Sequence, residues 1–241
     1  MRPLRCLSWW MALVAVPLAG CGAPLGQPLR GSEPVAPADV SDVHALYADN
    51  CAACHGVDGR GGAALALADP VYLAIVDERA MRSKIANGVP GTPMPAFAVL
   101  AGGTLAAKQI DLIVSAIRTW ERSDGLGGIQ PPPYVSASTA DLGRGSVAYR
   151  KYCERCHGPD GAGSPRGSAI TNDSFLALVS DQRLRTTVIA GRRDLGAPDW
   201  RGNVPGTPMS EQEVTDVVAW LASHRVQTPG TPYFTSRNDQ R

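Results

Sequence analysis

The sequence carries no surplus of charge of either sign. Its 23 lysines and arginines nearly balance its 22 aspartates and glutamates, so the formal net charge is +1. No basic bias indicates a nucleic-acid partner, and no run of like charges indicates an acidic or basic tail. The rest of the composition, 44% hydrophobic in 241 residues, is typical of one large globular domain or two small ones.

A β-strand pattern is also missing, since no segment alternates apolar and polar residues in the way that half-buried strands do. Apolar residues instead recur at helical spacing in residues 72–86 and 175–189. Amphipathic helices are indicated at residues 105–120 and 210–225, and the latter opens with Ser210 and Glu213 at the spacing of a capping box. The sequence therefore predicts an all-α fold.

The longest apolar run is too short to cross a bilayer comfortably. It spans residues 7–20, follows Arg2 and Arg5, and ends in Leu-Ala-Gly before Cys21. This arrangement resembles the bacterial lipobox, in which a signal peptide is removed before a cysteine that then carries a lipid. We therefore predict a signal peptide at residues 1–20 and a lipidated Cys21 that opens a flexible Pro/Gly-rich tether at residues 21–38. The alternative is an ordinary secretory signal with a chance cysteine at its end.

Cysteines are few, and each of the six has a predicted place. Cys6 lies in the predicted signal peptide, and Cys21 is assigned to the lipid. The other four form two Cys-x-x-Cys pairs, each followed directly by a histidine. The two motifs are Cys51, Cys54 and His55, and Cys153, Cys156 and His157. No cysteine is left for a conventional disulfide.

The two motifs belong to an internal duplication. Residues 72–88 match residues 175–191 at an offset of 103, and a tyrosine precedes the first cysteine of each motif by four residues. The hexapeptide Val-Pro-Gly-Thr-Pro-Met occurs at 89–94 and again at 204–209, an offset of 115. Matching the two hexapeptides predicts that residues 192–203 are an insertion in the second copy. We expect domains at residues 39–122 and 141–227, a Pro/Gly linker at 123–140 and a tail at 228–241.

Cys-x-x-Cys-His is the attachment signature of c-type haem. Two cysteines three residues apart lie on one face of a helix, where their sulfurs reach two vinyl groups along one edge of a porphyrin. The adjacent histidine then binds the iron. A zinc ribbon requires two cysteine pairs about 15–20 residues apart, and a thioredoxin-like pair is typical of a βαβ context. Two motifs that lie 102 residues apart in a helical chain fit neither alternative.

The sixth iron ligand is predicted to be methionine. After removal of the signal peptide only Met81, Met94 and Met209 are left. Met81 falls within a predicted helix and is assigned to the core, whereas Met94 and Met209 end the two hexapeptides, whose prolines stiffen the backbone. A thioether opposite histidine favours ferrous iron and raises its potential. His44 and His224 are the rival ligands, but neither recurs in the other copy.

Each copy resembles a class I cytochrome c domain, and the pair resembles a tandem diheme cytochrome c. The resemblance covers residues 39–120 and 141–225. It implies an all-α fold around two covalently bound c-type haems, with the four motif cysteines as thioether anchors and the two motif histidines as proximal ligands. It also implies that Met94 and Met209 are the distal ligands. In this family a loop carbonyl orients the proximal histidine; Pro165 is the candidate in the second copy, and Ala63 stands at that place in the first.

With both irons six-coordinate, the resemblance implies electron transfer rather than catalysis. We expect a protein that is lipid-anchored on the periplasmic side of the bacterial cell envelope and carries single electrons. It acts either as a free carrier or as a subunit of a respiratory or photosynthetic complex, so its partners are redox proteins or such a membrane complex. Two alternatives stay open: a peroxidase-like diheme enzyme, in which one haem must open, and a haem-based gas or redox sensor.

The predicted insertion is expected to emerge beside the second haem. Residues 192–203 hold Arg192, Arg193, Arg201 and Trp200, and arginine and tryptophan are enriched at interface hot spots. We predict that this segment contacts a partner or the other haem domain. The alternative is a solvated loop whose Trp200 covers the core of its own domain.

Overall fold

Helices account for the regular structure of the computed structural model, which describes residues 34–120, 126 and 128–226. Within these residues there is no β-strand, only isolated bridges. No helix in this part of the chain is long and apolar enough to cross a membrane. The predicted all-α fold is therefore confirmed. The predicted signal peptide, Cys21, most of the tether and the tail lie outside the described residues.

The same order of helices occurs twice, in a first half up to residue 120 and a second half from residue 141. The first half contains α1 (Val43–Asn50), α2 (Ala52–His55), α3 (Pro70–Ile75), α4 (Glu78–Asn87) and α5 (Ala107–Arg118). The second half contains α6 (Leu142–Tyr152), α7 (Glu154–His157), α8 (Asp173–Ala177), α9 (Asp181–Ala190) and α10 (Glu211–Ala222). The duplication seen in the sequence is thus a duplication of structure.

Short polar side chains begin most of these helices. The first backbone N–H groups of a helix have no partner within the helix, and an N-cap oxygen accepts hydrogen bonds from them. The residues that do so are Asp42, Asp69, Asp77, Asp141, Asn172, Ser180 and Ser210. Ser210 also forms the predicted capping box, since the Glu213 carboxylate accepts from the Ser210 N–H at 2.9 Å.

The first and last helices of the second half, α6 and α10, approach each other closely at Gly145. A Cβ atom on this buried glycine would lie 2.2 Å from the carbonyl oxygen of Asp216 and 2.7 Å from Cβ of Trp220. The Tyr149 and Trp220 rings pack at the same crossing with centroids 4.3 Å apart. In the first half α1 also contacts α5, and Tyr47 meets Trp120 edge-on at 5.2 Å. The absence of a side chain at Gly145 is therefore a packing requirement.

The predicted linker packs against the second half. The Arg185 side chain is 5% exposed and donates to the carbonyl oxygens of Pro133 and Tyr134 at 2.8 and 3.2 Å. Gln182 donates to the Tyr134 carbonyl at 2.8 Å as well. The linker carbonyls thus provide the hydrogen-bond acceptors that the buried guanidinium of Arg185 requires. Residues 133–134 therefore pack as part of the second half.

Residues 192–194 bind the first half through charged side chains. Arg193 donates twice to one oxygen of Asp69, at 2.8 and 3.0 Å. Arg192 donates to the carbonyl oxygen of Gly62 at 2.6 Å. The predicted contact with the other haem domain is therefore confirmed for these residues. Trp200, which is 2% exposed, belongs to the buried core, as the alternative expected.

Asp194 completes this contact. Its carboxylate accepts from the Gly61 N–H at 2.9 Å and from two nitrogens of Arg192 at 2.9 and 2.8 Å. The hydrogen bonds from Arg192, together with that from Gly61, lower the pKa of Asp194 from 3.8 to about 2. Hydrogen bonds that favour the charged form stabilise the folded state while the carboxyl is ionised.

The crossing of α6 and α10 predicts that Gly145→Ala destabilises the protein by about 1–3 kcal/mol, because the new methyl group overpacks the crossing. Gly143→Ala is the matched control, since Gly143 is exposed on the same helix and a Cβ atom on it would approach only one atom, a side-chain oxygen of Asp141 at 3.3 Å. Thermal unfolding of both variants checks this. Equal midpoints for the two variants would contradict the packing requirement.

The Asp194 contacts predict a pH-dependent contribution to stability with a definite sign. A carboxyl whose folded pKa is depressed contributes fully above its unfolded pKa and loses that contribution as the pH falls through the folded value. The stability difference between the wild type and Asp194→Asn should therefore shrink as the pH falls from about 4 to about 2. Unfolding midpoints measured across this range test it, with Asp58→Asn, at an exposed aspartate, as control. A difference that stays constant to the acid end would refute the assignment.

Candidate functional site

Each Cys-x-x-Cys-His motif forms a single helical turn that continues the first helix of its half. Cys51 separates α1 from α2, and Cys153 separates α6 from α7. The tyrosine that recurs four residues before each motif has a structural role. Tyr47 donates from its hydroxyl to the carbonyl of Gly56 at 2.9 Å, and Tyr149 does the same to the carbonyl of Gly158 at 2.6 Å. These bonds fix the turn that follows each histidine.

The two motif histidines are held by backbone carbonyls. Nδ1 of His55 lies 2.8 Å from the carbonyl oxygen of Leu65, and Nδ1 of His157 lies 2.8 Å from that of Ser168. A carbonyl oxygen only accepts, so Nδ1 carries the proton and Nε2 of the neutral ring is free to bind a metal. Burial lowers the pKa of His55; the hydrogen bond to the Leu65 carbonyl opposes this and nearby arginines add to it, and the net lowering favours the neutral form.

The source of the orienting carbonyl differs from the sequence-based expectation. That expectation names Pro165 in the second half, with Ala63 at the same place in the first, but the accepting carbonyls belong to Ser168 and Leu65. Pro165 is instead in the turn between Ser164 and Gly167, whose backbones pair with each other. The expectation is wrong because every residue has a backbone carbonyl, so the sequence does not indicate which carbonyl accepts the hydrogen bond.

The motif cysteines are unpaired thiols. Cys54 and Cys156 are exposed, while Cys51 and Cys153 are half-buried. Burial, with a smaller effect of the second cysteine of each motif, raises the pKa of the Cys51 thiol to about 11 and that of Cys153 to about 12. Free thiols three residues apart beside a neutral imidazole fit the donor set that covalent haem attachment requires.

The loop after α4 contains Met94. The Val89 N–H donates to the Met94 carbonyl at 3.0 Å and closes residues 89–94 into a turn, which we call the first ligand loop. Gly88, at φ +68°, leads into this loop, and a Cβ atom on it would lie 2.8 Å from the Met94 carbonyl oxygen. The Met94 side chain is half-buried.

The corresponding turn after α9 does not contain Met209. The Arg192 N–H donates to the Ala197 carbonyl at 3.0 Å and closes residues 192–197, the second ligand loop. Gly191 leads into it at φ +72°, and a Cβ atom on this glycine would lie 2.7 Å from the Ala197 carbonyl oxygen. Met94 and Ala197 therefore have the same place in the two halves, at an offset of 103.

Met209 corresponds to Leu105 of the first half. Leu105 donates from its N–H to the Phe97 carbonyl at 2.7 Å, and Met209 donates from its N–H to the Trp200 carbonyl at 3.0 Å. Each residue immediately precedes the N-cap of the last helix of its half. Both side chains are buried, Leu105 at 4% and Met209 at 2% exposure.

The predicted insertion is therefore wrong. Residues 89–105 and 192–209 each run from the start of the ligand loop to the residue before the N-cap of the last helix. These two segments differ by one residue in length. The repeated hexapeptide misled the alignment because its two copies lie at different points of the loop. A constant offset of 103 was the missed signal: it pairs Pro95 with Pro198 and Phe97 with Trp200, and with them Met94 with Ala197.

The two rival histidines lie on helices or at a helix end. His44 is exposed in the first turn of α1, where its N–H donates to Asp42. His224 follows α10, and its Nδ1 lies 2.8 Å from the Trp220 carbonyl oxygen, with the two rings 4.4 Å apart. Nδ1 of His224 is thus bonded within the end of the helix. Iron ligation by Met94 or Met209 stays a prediction.

Comparison with known proteins bears on both halves. A family model described as cytochrome c oxidase, cbb3-type, subunit III matches residues 38–115 and 140–221. The Cbb3-type cytochrome c oxidase subunit CcoP of Azospirillum sp. (strain B510) is 29% identical over 175 residues, which cover 64% of this chain and 53% of that protein. The chain thus spans about half the length of this curated relative.

Two solved structures show weaker similarity. The KustC0563 c-type cytochrome is 25% identical with a TM-score of 0.30, over 34% of this chain and 99% of that chain. The Kuenenia stuttgartiensis reducing HAO-like protein complex Kustc0457/Kustc0458 is 16% identical with a TM-score of 0.45, over 80% of this chain and 100% of that chain. Similarity this weak does not contribute to the family assignment.

The family assignment rests on the match of the family model to both halves. Each matched region includes one Cys-x-x-Cys-His motif. The chain belongs to the cytochrome c oxidase, cbb3-type, subunit III family, and it is a diheme c-type cytochrome with two covalently bound haems.

Proposed function

We propose that this protein transfers single electrons at the bacterial cell envelope. The observation that carries the proposal is the pair of motif helices, each of which presents two free thiols beside a histidine whose Nδ1 is bonded to a backbone carbonyl. A bound c-type haem supplies reversible one-electron chemistry at its iron. The protein supplies the anchors, the orientation of the histidine and the surrounding apolar core.

In the first half Cys51 and Cys54 are the proposed thioether anchors, His55 the proximal ligand and Met94 the distal ligand. The carbonyl of Leu65 holds the ring of His55, so that Nε2 is the nitrogen left for iron. Met94 ends a turn closed by its own carbonyl, and its soft thioether favours the ferrous state.

In the second half Cys153 and Cys156 are the proposed anchors and His157 the proximal ligand, with the Ser168 carbonyl in the role of Leu65. Met209 is the distal ligand that the sequence predicts for the second haem. No backbone hydrogen bond that occurs in both halves puts Met209 at the position of Met94.

The contact between the halves supports electron exchange within one chain. Gly61 and Gly62 lie in the loop that follows His55, and they bond to Asp194 and Arg192 of the second ligand loop. The loop that follows His55 therefore contacts the second ligand loop, which contains Ala197, the counterpart of Met94. Hydrogen bonds between these two loops suit sequential transfer of one electron at a time between the halves.

Attachment to the membrane is proposed through a lipid on Cys21, on the periplasmic side. With this anchor the protein serves either as a mobile carrier or as a fixed subunit of a respiratory or photosynthetic complex. The curated relative is itself named as an oxidase subunit, which supports the second role. Purification from native membranes with identification of co-purifying proteins separates the two: a stoichiometric set of redox subunits supports the complex, and none supports the carrier.

The assignment of Met94 predicts that Met94→Ala changes one haem only. The near-infrared band of methionine-ligated ferric haem should be lost, and the potential of that haem should fall, because the ligand that favours ferrous iron is gone. Redox titration of the purified diheme protein, followed by its visible and near-infrared spectra, measures both effects. Met81→Leu is the control, since Met81 is 2% exposed in the core. An unchanged band and potential in Met94→Ala would transfer the role to another residue.

The proposed anchor predicts that Cys21→Ser releases the protein from membranes. A tether of about 18 residues can extend up to roughly 60 Å at about 3.3 Å per residue, which allows a haem domain to reach neighbouring proteins. Fractionation before and after a salt wash is the measurement, with the wild-type chain as reference. Retention of the Cys21→Ser variant through the wash would show that a protein partner holds it instead.

A further inference from the structure

We infer that the second haem has no methionine ligand and that its sixth coordination position is open to a small exogenous ligand, because Ala197 occupies the place of Met94. The inference rests on the proposed role of Met94 and extends it to the second half. It assigns different tasks to the two haems: the first is closed and transfers electrons, whereas the second is open to a neutral diatomic ligand or a similarly small donor.

The backbone of the two ligand loops gives the first step. Each loop begins at a glycine with positive φ, Gly88 or Gly191, and each is closed by a bond at 3.0 Å between its first N–H and the carbonyl of its sixth residue. The sixth residue is Met94 in one loop and Ala197 in the other. A proline follows both. The equivalence is therefore one of conformation, hydrogen bonding and sequence position together.

The surroundings of Met209 give the second step. Its counterpart, Leu105, has no donor atom and serves only as a core side chain. The cavity that Met209 lines is walled by Trp200, Pro208 and three prolines of the linker, and no residue of the second Cys-x-x-Cys-His motif lines it. Its sulfur also lies 3.9 Å from Nδ2 of Asn203. Met209 thus fills the core beneath the linker.

The remaining side chains of the second ligand loop give the third step. The Ala197 methyl group has no lone pair, and Leu195 has none either. Arg192 and Arg193 are cations that bond to Gly62 and Asp69 of the first half. Asp194 is the loop's one carboxylate, and its oxygens already accept from Gly61 and Arg192. No side chain in residues 192–197 is free to replace the missing thioether.

The consequence is a division of roles within one duplicated fold. An iron bound by His157 alone among protein groups is high-spin and accepts a small ligand without displacing a side chain. It also has the lower potential, because it lacks the soft ligand of the first haem. The first haem is then reduced in preference to the second.

Carbon monoxide binding to the reduced, purified diheme chain is the direct test. We expect one carbon monoxide per chain in the wild type, two in Met94→Ala and none in Ala197→Met. The ferric wild type should show one low-spin and one high-spin haem in its magnetic spectra. Retention of both haems by mass after denaturation, and an unchanged helical circular dichroism signal, confirm that each variant is folded and loaded.

Met209→Leu is the matched variant that separates the two assignments, because it introduces the residue that stands at the same place in the first half. It should bind one carbon monoxide, like the wild type, with unchanged spectra. A wild type that binds none would overturn the inference; if Met209→Leu then binds one, Met209 is the ligand after all. Failure of the proposed electron-transfer function looks different, since the chain would then lack covalent haem or reversible one-electron reduction at either site.

Discussion

The packing of the first helix of each half against the last is the contact on which both haem sites depend. In the second half α6 and α10 meet at Gly145, where a side chain would collide with the backbone of Asp216. The Cys-x-x-Cys-His turn continues directly from α6, and the Tyr149 hydroxyl ties the residue after that turn back to the helix. The helix crossing thus fixes where the motif begins. The Ser168 carbonyl then fixes the ring of His157.

The contact between the halves uses the same loop that matters for the second site. Arg192, Arg193 and Asp194 are bonded to the first half, so the second ligand loop is held from outside its own half. Charge-assisted hydrogen bonds are stronger than neutral ones, and in the Arg192–Asp194 pair both side chains are only 10% exposed. The loop that carries no methionine instead carries the residues that join the two haem domains.

Duplication followed by divergence explains this arrangement in physical terms. The backbone of a ligand loop requires a glycine with positive φ, a turn closed by one hydrogen bond and a proline after it, and both halves keep all three. The side chains on that backbone are free to change as long as they do not clash. Met94 and Ala197 occupy one equivalent place, and Leu105 and Met209 another. On the inference drawn from Ala197, one scaffold supports a closed haem and an open one.

The sequence by itself determined the helical class, the duplication, both Cys-x-x-Cys-His motifs and the capping box of α10, because each of these is written in residue type and spacing. It left open which residue corresponds to Met94, because the repeated hexapeptide pairs Met94 with Met209 whereas the constant offset of 103 pairs it with Ala197. Only the tertiary structure decided that Ala197, and not Met209, is the counterpart of Met94. It also decided which carbonyls hold the histidines, since every residue has a carbonyl and only the path of the chain selects one.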